Sequence, residues 1–529
     1  MGAQERSSTI SIGSVADERL RLRELTGAAP LGGSLLRSIS TRSPRLTPDT
    51  GAPRIAWTLV LPEQRYTYNS NLPYSLNDGA LWAGRGSNLS VVTGVRAEWG
   101  PVRLFILPEI TSSENQYFTP PDTLLRRVVA GRNAWSSPWH PFPQSIDLPF
   151  RFGHGPRDSF RWGQSSLTAD VGPVTVGAST ENEWWGPGMR NALLLSSNAE
   201  GFPKIFVRTA RPVETRFGDF EGRWLSGYTR TSEFYYPTGS RGQNSISMLA
   251  LTWRPPSANL VVGAARSVWA YMPGPQRLLG RAAYVFRDVG QPNAWPYAIG
   301  AETTGPDQLL SLFWRWVLPA DAFEFYGEWG RAEFPVSLRD FLVHPNHTQG
   351  YTLGLQWLGE PRWADVRLRA QGEATFLEQS TTFRQRLIGS WYTSRAVNEG
   401  YTHRGQVLGA AIGPGSSSQF LALGVFAGKW DADLYVSRIR WLEDARSQQT
   451  PYPGYIGDGE RGACEHDVSF LPGIRASALT RFGDVRLEYS AGWRLNVFFT
   501  HPSPCWQPLE RNRDERNRSL SLTFTPITF

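Results

Sequence analysis

From Ile55 onward, apolar and polar residues alternate with a period of two over long stretches. The clearest run is Val485–Val497. Val485, Leu487, Tyr489, Ala491, Trp493, Leu495 and Val497 fall on one face, and Arg486, Glu488, Ser490, Gly492, Arg494 and Asn496 on the other. Val366–Phe376 repeats the pattern, with Arg367, Arg369, Gln371, Glu373 and Thr375 on its polar face. Leu310–Leu318, Phe323–Trp329 and Tyr351–Trp357 follow it too. A period of two predicts β-strands with one greasy face and one charged face. The connections alternate in length. Leu318–Ala322, Leu358–Asp365 and Thr480–Asp484 are short, whereas Arg331–Gln349 and Thr500–Asn517 are long. Short turns on one side and long loops on the other predict an all-β fold, a transmembrane antiparallel β-barrel. A soluble sandwich also alternates, but it rarely sets so many arginines and carboxylates opposite an aromatic-rich face. About 475 residues at roughly 25 per strand and connection give about 18 strands, each crossing with ~9–11 residues.

The end of the chain keeps this pattern. Leu520, Leu522 and Phe524 alternate with Ser519, Ser521, Thr523 and Thr525 before Phe529. An amphipathic last strand with a terminal aromatic is similar to the assembly signal of outer-membrane barrels, which makes the barrel-assembly machinery an expected partner. The beginning reads differently. Val15–Thr26 carries Leu20, Leu22 and Leu25 as a loose helical stripe, and Gly27 closes it. A Ser/Arg/Pro-rich link then runs to Pro53. The expected division is a short helical periplasmic segment over 1–53 and a barrel over 54–529.

Composition narrows the picture. No run of 18 apolar residues occurs in the sequence, so no helix crosses a membrane. The net charge is +7, and the only lysines are Lys204 and Lys429. Arginine makes forked bonds to carboxylate and phosphate, which suits an acidic polysaccharide or lipopolysaccharide. Codon usage in a GC-rich genome explains the arginine bias more simply. The basic residues are spread along the chain, so nucleic acid is not an expected partner. The two cysteines, Cys464 and Cys505, flank the hairpin from Val468 to Thr500. They fall in neighbouring long loops and predict one disulfide in an oxidising compartment. No apolar stretch follows Met1, so an export leader is expected upstream, with Gly2-Ala3-Gln4 as the remnant of a cleavage region. The expected location is the bacterial outer membrane.

The candidate chemistry centres on Glu181-Asn-Glu-Trp-Trp-Gly-Pro-Gly-Met-Arg190, expected to follow a strand over Thr168–Ala178. Gly186, Pro187 and Gly188 force a tight turn. That turn holds Trp184 and Trp185 near Glu181, Glu183 and Arg190. Indole faces stack on pyranose rings, and the charged groups bond hydroxyls or sugar acids. Asp78, Trp82, Arg85 and Arg404 offer the same chemistry elsewhere. The plainer reading of all these residues is lumen packing through buried ion pairs. Trp99, Trp314 and Trp493 read as membrane-facing or interfacial aromatics.

Enzyme signals are weak. His344 and His347 are separated by Pro345, which argues against a helical metal motif. His403 stands beside Arg404 with no carboxylate near it in sequence. No Gly-x-Ser-x-Gly elbow surrounds Ser165 or Ser166, and no phosphate loop, dinucleotide fingerprint or Cys/His cluster occurs. No catalytic residue, metal or cofactor is therefore expected.

Five blocks, in order, resemble the capsule assembly Wzi family of outer-membrane barrels. They are Asn77–Gly86, Trp162–Ser166, Glu181–Gly188, Pro345–Thr352, and Gly400–Gly405 through Gly413–Gly415. The resemblance implies a non-catalytic protein that binds or organises capsular polysaccharide at the cell surface, with a helical plug at the periplasmic mouth. The alternative from the residues themselves is a passive channel for small solutes.

Overall fold

The computed structural model describes residues 9–31, 35–46, 55–119, 146–234, 242–287, 305–333, 335, 337–361, 365–384, 389–394, 396–397, 399–444, 466–499 and 514–526. Cys464, Cys505 and Phe529 lie outside the described residues.

The wall is a closed antiparallel barrel of 18 strands. Fifteen crossings are single ladder segments, such as Ala56–Asn69, Gly86–Trp99 and Glu515–Pro526. Three are interrupted: Val102–Ile106 with Glu109–Ser113, Arg157–Arg161 with Ser166–Val171, and Lys204–Thr209 with Val213–Thr215. Closure joins the first strand to the last, from Gln64 opposite Phe524 to Asn69 opposite Ser519. Every pairing in the wall is antiparallel. A closed barrel leaves no backbone edge for lipid to solvate, which is why the membrane tolerates it.

Strands fall where the period of two places them. Val485–Val497 becomes the strand Gly483–Leu495, and Val366–Phe376 becomes Arg367–Phe376. Thr168–Ala178 is a correction. It is not one strand but a hairpin, Ser166–Val171 and Val174–Ser179, turning at Gly172 and Pro173. Gly172 takes φ +60°, a turn conformation that glycine adopts without strain.

The outward face is apolar. Leu59, Leu89, Ile110, Leu167, Leu251, Leu353, Leu421 and Leu434 are all exposed. Trp57, Trp99, Phe217, Trp253, Trp316, Trp357, Trp430 and Phe482 are exposed near the short-turn end and form an aromatic girdle. Both chain ends of the wall lie at this end, which is the periplasmic end by the general rule of turn lengths.

The helix Val15–Leu25 sits inside the short-turn end of the lumen. Ser14 caps it by accepting from the Asp17 backbone N–H at 3.2 Å, and Asp17 and Glu18 occupy its first turn. Leu22 and Leu25 pack with Leu31 against Val317, Ala322 and Leu358 of the wall. The leucine stripe describes only part of the buried face. Asp17, Arg19, Arg21 and Glu24 are buried as well, because the lumen wall facing this helix is itself charged.

Candidate functional site

Inward-folding loops enter the lumen from the other end. From the long-loop side, Trp185 and Leu193–Leu195 enter beside Trp391, Tyr392, Tyr401, Val407, Leu408 and Ile412. They form one hydrophobic core with the inward wall residues Phe206, Leu225, Ile246, Met248, Trp269, Leu309 and Phe313. This part of the interior is therefore packed like the core of a soluble protein.

The Trp-Trp turn joins the two halves of this filling. Leu36–Ser38 of the N-terminal segment pairs antiparallel with Glu183–Trp185, forming a small sheet inside the barrel. Two plug arginines reach the turn itself. Arg21 donates to the Pro187 carbonyl at 2.7 Å, and Arg37 to the Gly188 carbonyl at 3.4 Å. Gly186 has φ +118°, and a Cβ there would fall 2.8 Å from the Glu328 carboxylate. A Cβ at Gly188 would fall 1.9 Å from the Asn191 carbonyl, so glycine is required at both positions.

Wall carboxylates anchor the loop. Glu373 accepts backbone N–H groups from Met189 at 2.6 Å, Arg190 at 3.0 Å and Asn191 at 2.8 Å. Successive N–H groups converging on one anion form a backbone nest. Glu328 accepts from Leu193 N–H at 3.1 Å. In the loop, Glu181 accepts from Ser40 Oγ at 2.8 Å.

Three ion-pair groups hold the plug. Asp17 pairs with Arg37 at 2.9 Å and Arg42 at 2.8 Å. Glu18 pairs with Arg369 and Arg486. Glu24 pairs with Arg315, whose second partner, Glu324 at 2.6 Å, also takes Arg21 at 2.7 Å. Burial alone would push the Asp17 and Glu18 carboxyls up. The Arg37 and Arg42 guanidiniums hold Asp17 below its ordinary range, and Arg369, Arg486 and Arg475 hold Glu18 well below it.

Besides Glu181, the eight residues singled out in the sequence fall in separate places. Asp78, Trp184 and Arg190 line one charged cavity of about 340 Å³, together with Arg65, Glu488 and Arg475. Asp78 pairs with Arg65 at 2.9 Å. Burial raises the Asp78 carboxyl, and Arg65 works against that rise. Arg190 lies 4.2 Å over the Phe420 ring and 3.6 Å from Glu488. Trp184 carries the Arg37 guanidinium 5.2 Å over its ring. Trp185 has no exposed surface, and its indole N–H donates to Glu183 at 2.8 Å. Glu183 also takes Arg223 at 2.7 Å.

The remaining candidates belong to the loops. Trp82 packs against Phe152 with ring centroids 4.9 Å apart. Arg85 donates to the Tyr117 carbonyl at 2.7 Å. Arg404 pairs with Glu200, which also takes Arg161 at 2.7 Å. His403, which shows no carboxylate beside it in sequence, has Glu200 at 3.2 Å. Burial opposes ionisation of Glu200, but His403, Arg161 and Arg404 draw it down to about 2. Burial in turn lowers His403 below its ordinary value. Local sequence does not show Glu200 or Arg37 as members of this site, and it places Glu373 only on a polar strand face, because their partners lie far away along the chain. Among the described residues, no group of three or more His, Cys, Asp or Glu side chains is arranged to hold a metal ion.

Fold and filling together define a bacterial outer-membrane β-barrel closed by its own chain. No protein-family model matches this chain, and no curated protein matches it in sequence. Among solved structures it is similar to Wzi of Escherichia coli, described as an outer-membrane protein involved in group 1 capsule assembly and a carbohydrate-binding β-barrel. Identity is 12%, coverage is 88% of this chain and 84% of that one, and the TM-score is 0.52. It is also similar to OprD of Pseudomonas aeruginosa, at 9% identity, 89% and 94% coverage and a TM-score of 0.40. OprB of Pseudomonas putida stands at 10% identity, 88% and 94% coverage and a TM-score of 0.35. At such identities the likeness is one of fold, and membership of the Wzi family does not follow from it.

Proposed function

We propose that this protein holds or organises polysaccharide at the cell surface, without catalysis, and is not an open diffusion channel. The observation that carries this reading is the obstruction of the lumen from both ends. The N-terminal segment enters from one end, inward loops enter from the other, and the Trp-Trp turn joins them. A diffusion pore needs a continuous aqueous lumen, whereas an anchor needs a rigid platform for its loops. The likeness in fold to a carbohydrate-binding barrel and the five sequence blocks that resemble the Wzi family lend support.

On this reading Arg85, Trp82 and Arg404 present the glycan-facing groups in the loops, and Asp78, Trp184 and Arg190 present them at the cavity. Glu183 and Trp185 serve as the packed base beneath. The first test is conductance of the purified protein in planar bilayers. Little or no steady conductance is expected, and a large steady conductance would favour the passive channel. The second is retention of the host's capsular or other surface polysaccharide by the purified protein. Arg85→Ala with Arg404→Ala should weaken it about tenfold, equivalent to about 1.4 kcal/mol. Failure of the unaltered protein to bind any surface polysaccharide of its host would sink the anchor reading.

A further inference from the structure

One stretch of the wall breaks the apolar rule of the lipid-facing surface. Leu225, Ile246, Met248, Ala265, Trp269 and Leu309 face inward, since they belong to the lumen core. Their neighbours Trp224, Ser226, Ser245, Ser247, Arg266 and Gln308 therefore face outward. Ser226, Ser245 and Ser247 are nonetheless buried, at 1%, 3% and 1% exposure, and Gln308 is at 5%. Something covers them from outside. That cover is the segment Met272–Arg287, which leaves the strand Leu260–Tyr271 at its long-loop end and folds down against the wall.

The contacts are specific. The Ala282 carbonyl accepts from Trp224 Nε1 at 3.2 Å and from Ser247 Oγ at 2.6 Å. Arg266 donates to the Val285 carbonyl at 3.0 Å and to Gln308 at 2.6 Å. Arg281 donates to the Ala270 carbonyl at 3.3 Å and also to the Tyr271 carbonyl. These bonds satisfy the outward polar groups of Trp224, Ser247 and Arg266, as a surface in contact with hydrocarbon requires.

The outer side of this flap has its own chemistry. Leu279 and Phe286 are 78% and 63% exposed. Arg277 and Arg287 are exposed too, and residues 272–287 contain three arginines and no Asp or Glu. Exposed apolar side chains beside exposed arginines are the composition of an element lying at a membrane interface. Its position at the long-loop end places it in the outer leaflet.

We propose that this flap is a docking site for the phosphorylated, acylated glycolipid of the outer leaflet. Arg277 and Arg287 take its phosphates, since guanidinium forks match phosphate oxygens. Leu279 and Phe286 lie against its acyl chains. The assignment is independent of any polysaccharide held by the loops.

The test uses the full-length barrel purified in detergent and incubated with lipid A, with bound lipid counted by native mass spectrometry. Arg277→Gln with Arg287→Gln should cut retention roughly tenfold, as expected for two lost arginine–anion contacts. Leu279→Ser with Phe286→Ser should also cut it. Heat-modifiable migration in gels establishes that each variant is still a folded barrel. Dephosphorylated lipid A should be held weakly, and phosphatidylglycerol less well than lipid A. Unchanged retention by the double arginine variant overturns the proposal, as does equal binding of phosphatidylglycerol. Substitutions that dissociate a dimer while leaving lipid binding intact would assign the flap to a second copy of this chain instead.

Discussion

Arg315 has no exposed surface, yet it carries a full charge between Glu24 of the plug and Glu324 of the wall. Such a group is tolerated only because both neighbours are anions. Replacing it with Met leaves two buried carboxylates facing each other, with Arg21 at Glu324 and the more distant Arg42, 3.9 Å from Glu24, to compensate. Removing one partner from a buried ionic group costs about 3–5 kcal/mol. Urea unfolding of the refolded barrel should show a loss of that size for Arg315→Met, and Arg315→Lys should recover part of it. A loss below about 1 kcal/mol, the level of an exposed pair, would mean the plug does not depend on this network. Residue-scale legibility was uneven for the same reason. The Gly-Pro-Gly turn is written in local sequence, since only small or φ-restricted residues fit it. Its partners are not, because Glu373 stands 184 positions from Met189 and Arg37 stands 151 from Gly188. No local period carries that information.

At the level of elements, the plug helix and the surface loops should answer pH in opposite directions. The Asp17 and Glu18 carboxyls lie below their unfolded values of 3.8 and 4.5, because arginines outweigh burial. Their contribution is complete above those values and is lost only as pH falls through the lowered ones. Asp147 and Asp444 in the loops run the other way. Burial pushes both up to about 7, although Ser232 and the Gln379 backbone N–H donate to them. Their contribution is full below 3.8 and is lost as pH rises through about 7. Protection factors, which divide out the intrinsic pH dependence of amide exchange, should therefore rise around Ser232 and Gln379 when pH drops from about 8 to about 5, while those of the plug helix stay unchanged. Unchanged or lower loop protection at the lower pH would contradict this assignment. Strands were the most legible elements, since the wall divides lipid from lumen and imposes a period of two. The inward loops were not, because they are packed on all sides. The flap was not legible either, since its polar contacts are with serines that any strand could carry outward.

For the whole molecule, the question is what keeps the lumen shut. The N-terminal segment closes the short-turn end through the three ion-pair groups and the small sheet with the Trp-Trp turn. A chain without residues 9–46 should still close its 18-strand wall, since all wall strands lie beyond Ile55. It should show a larger steady conductance in planar bilayers than the full chain. No gain would mean that the inward loops alone seal the barrel. The order of the chain adds a constraint on how such an object can be made. The plug precedes the wall in sequence, and the seam joins Gln64–Asn69 to Ser519–Phe524, strands some 450 positions apart. Contacts of such separation form last. The plug is thus on hand before the seam exists, and the wall can be laid around it. Were the same segment attached after Pro526, it would have to thread a finished ring against its own buried charges. The position of a few dozen residues in the chain decides whether filling the barrel is a step of folding or an obstacle to it.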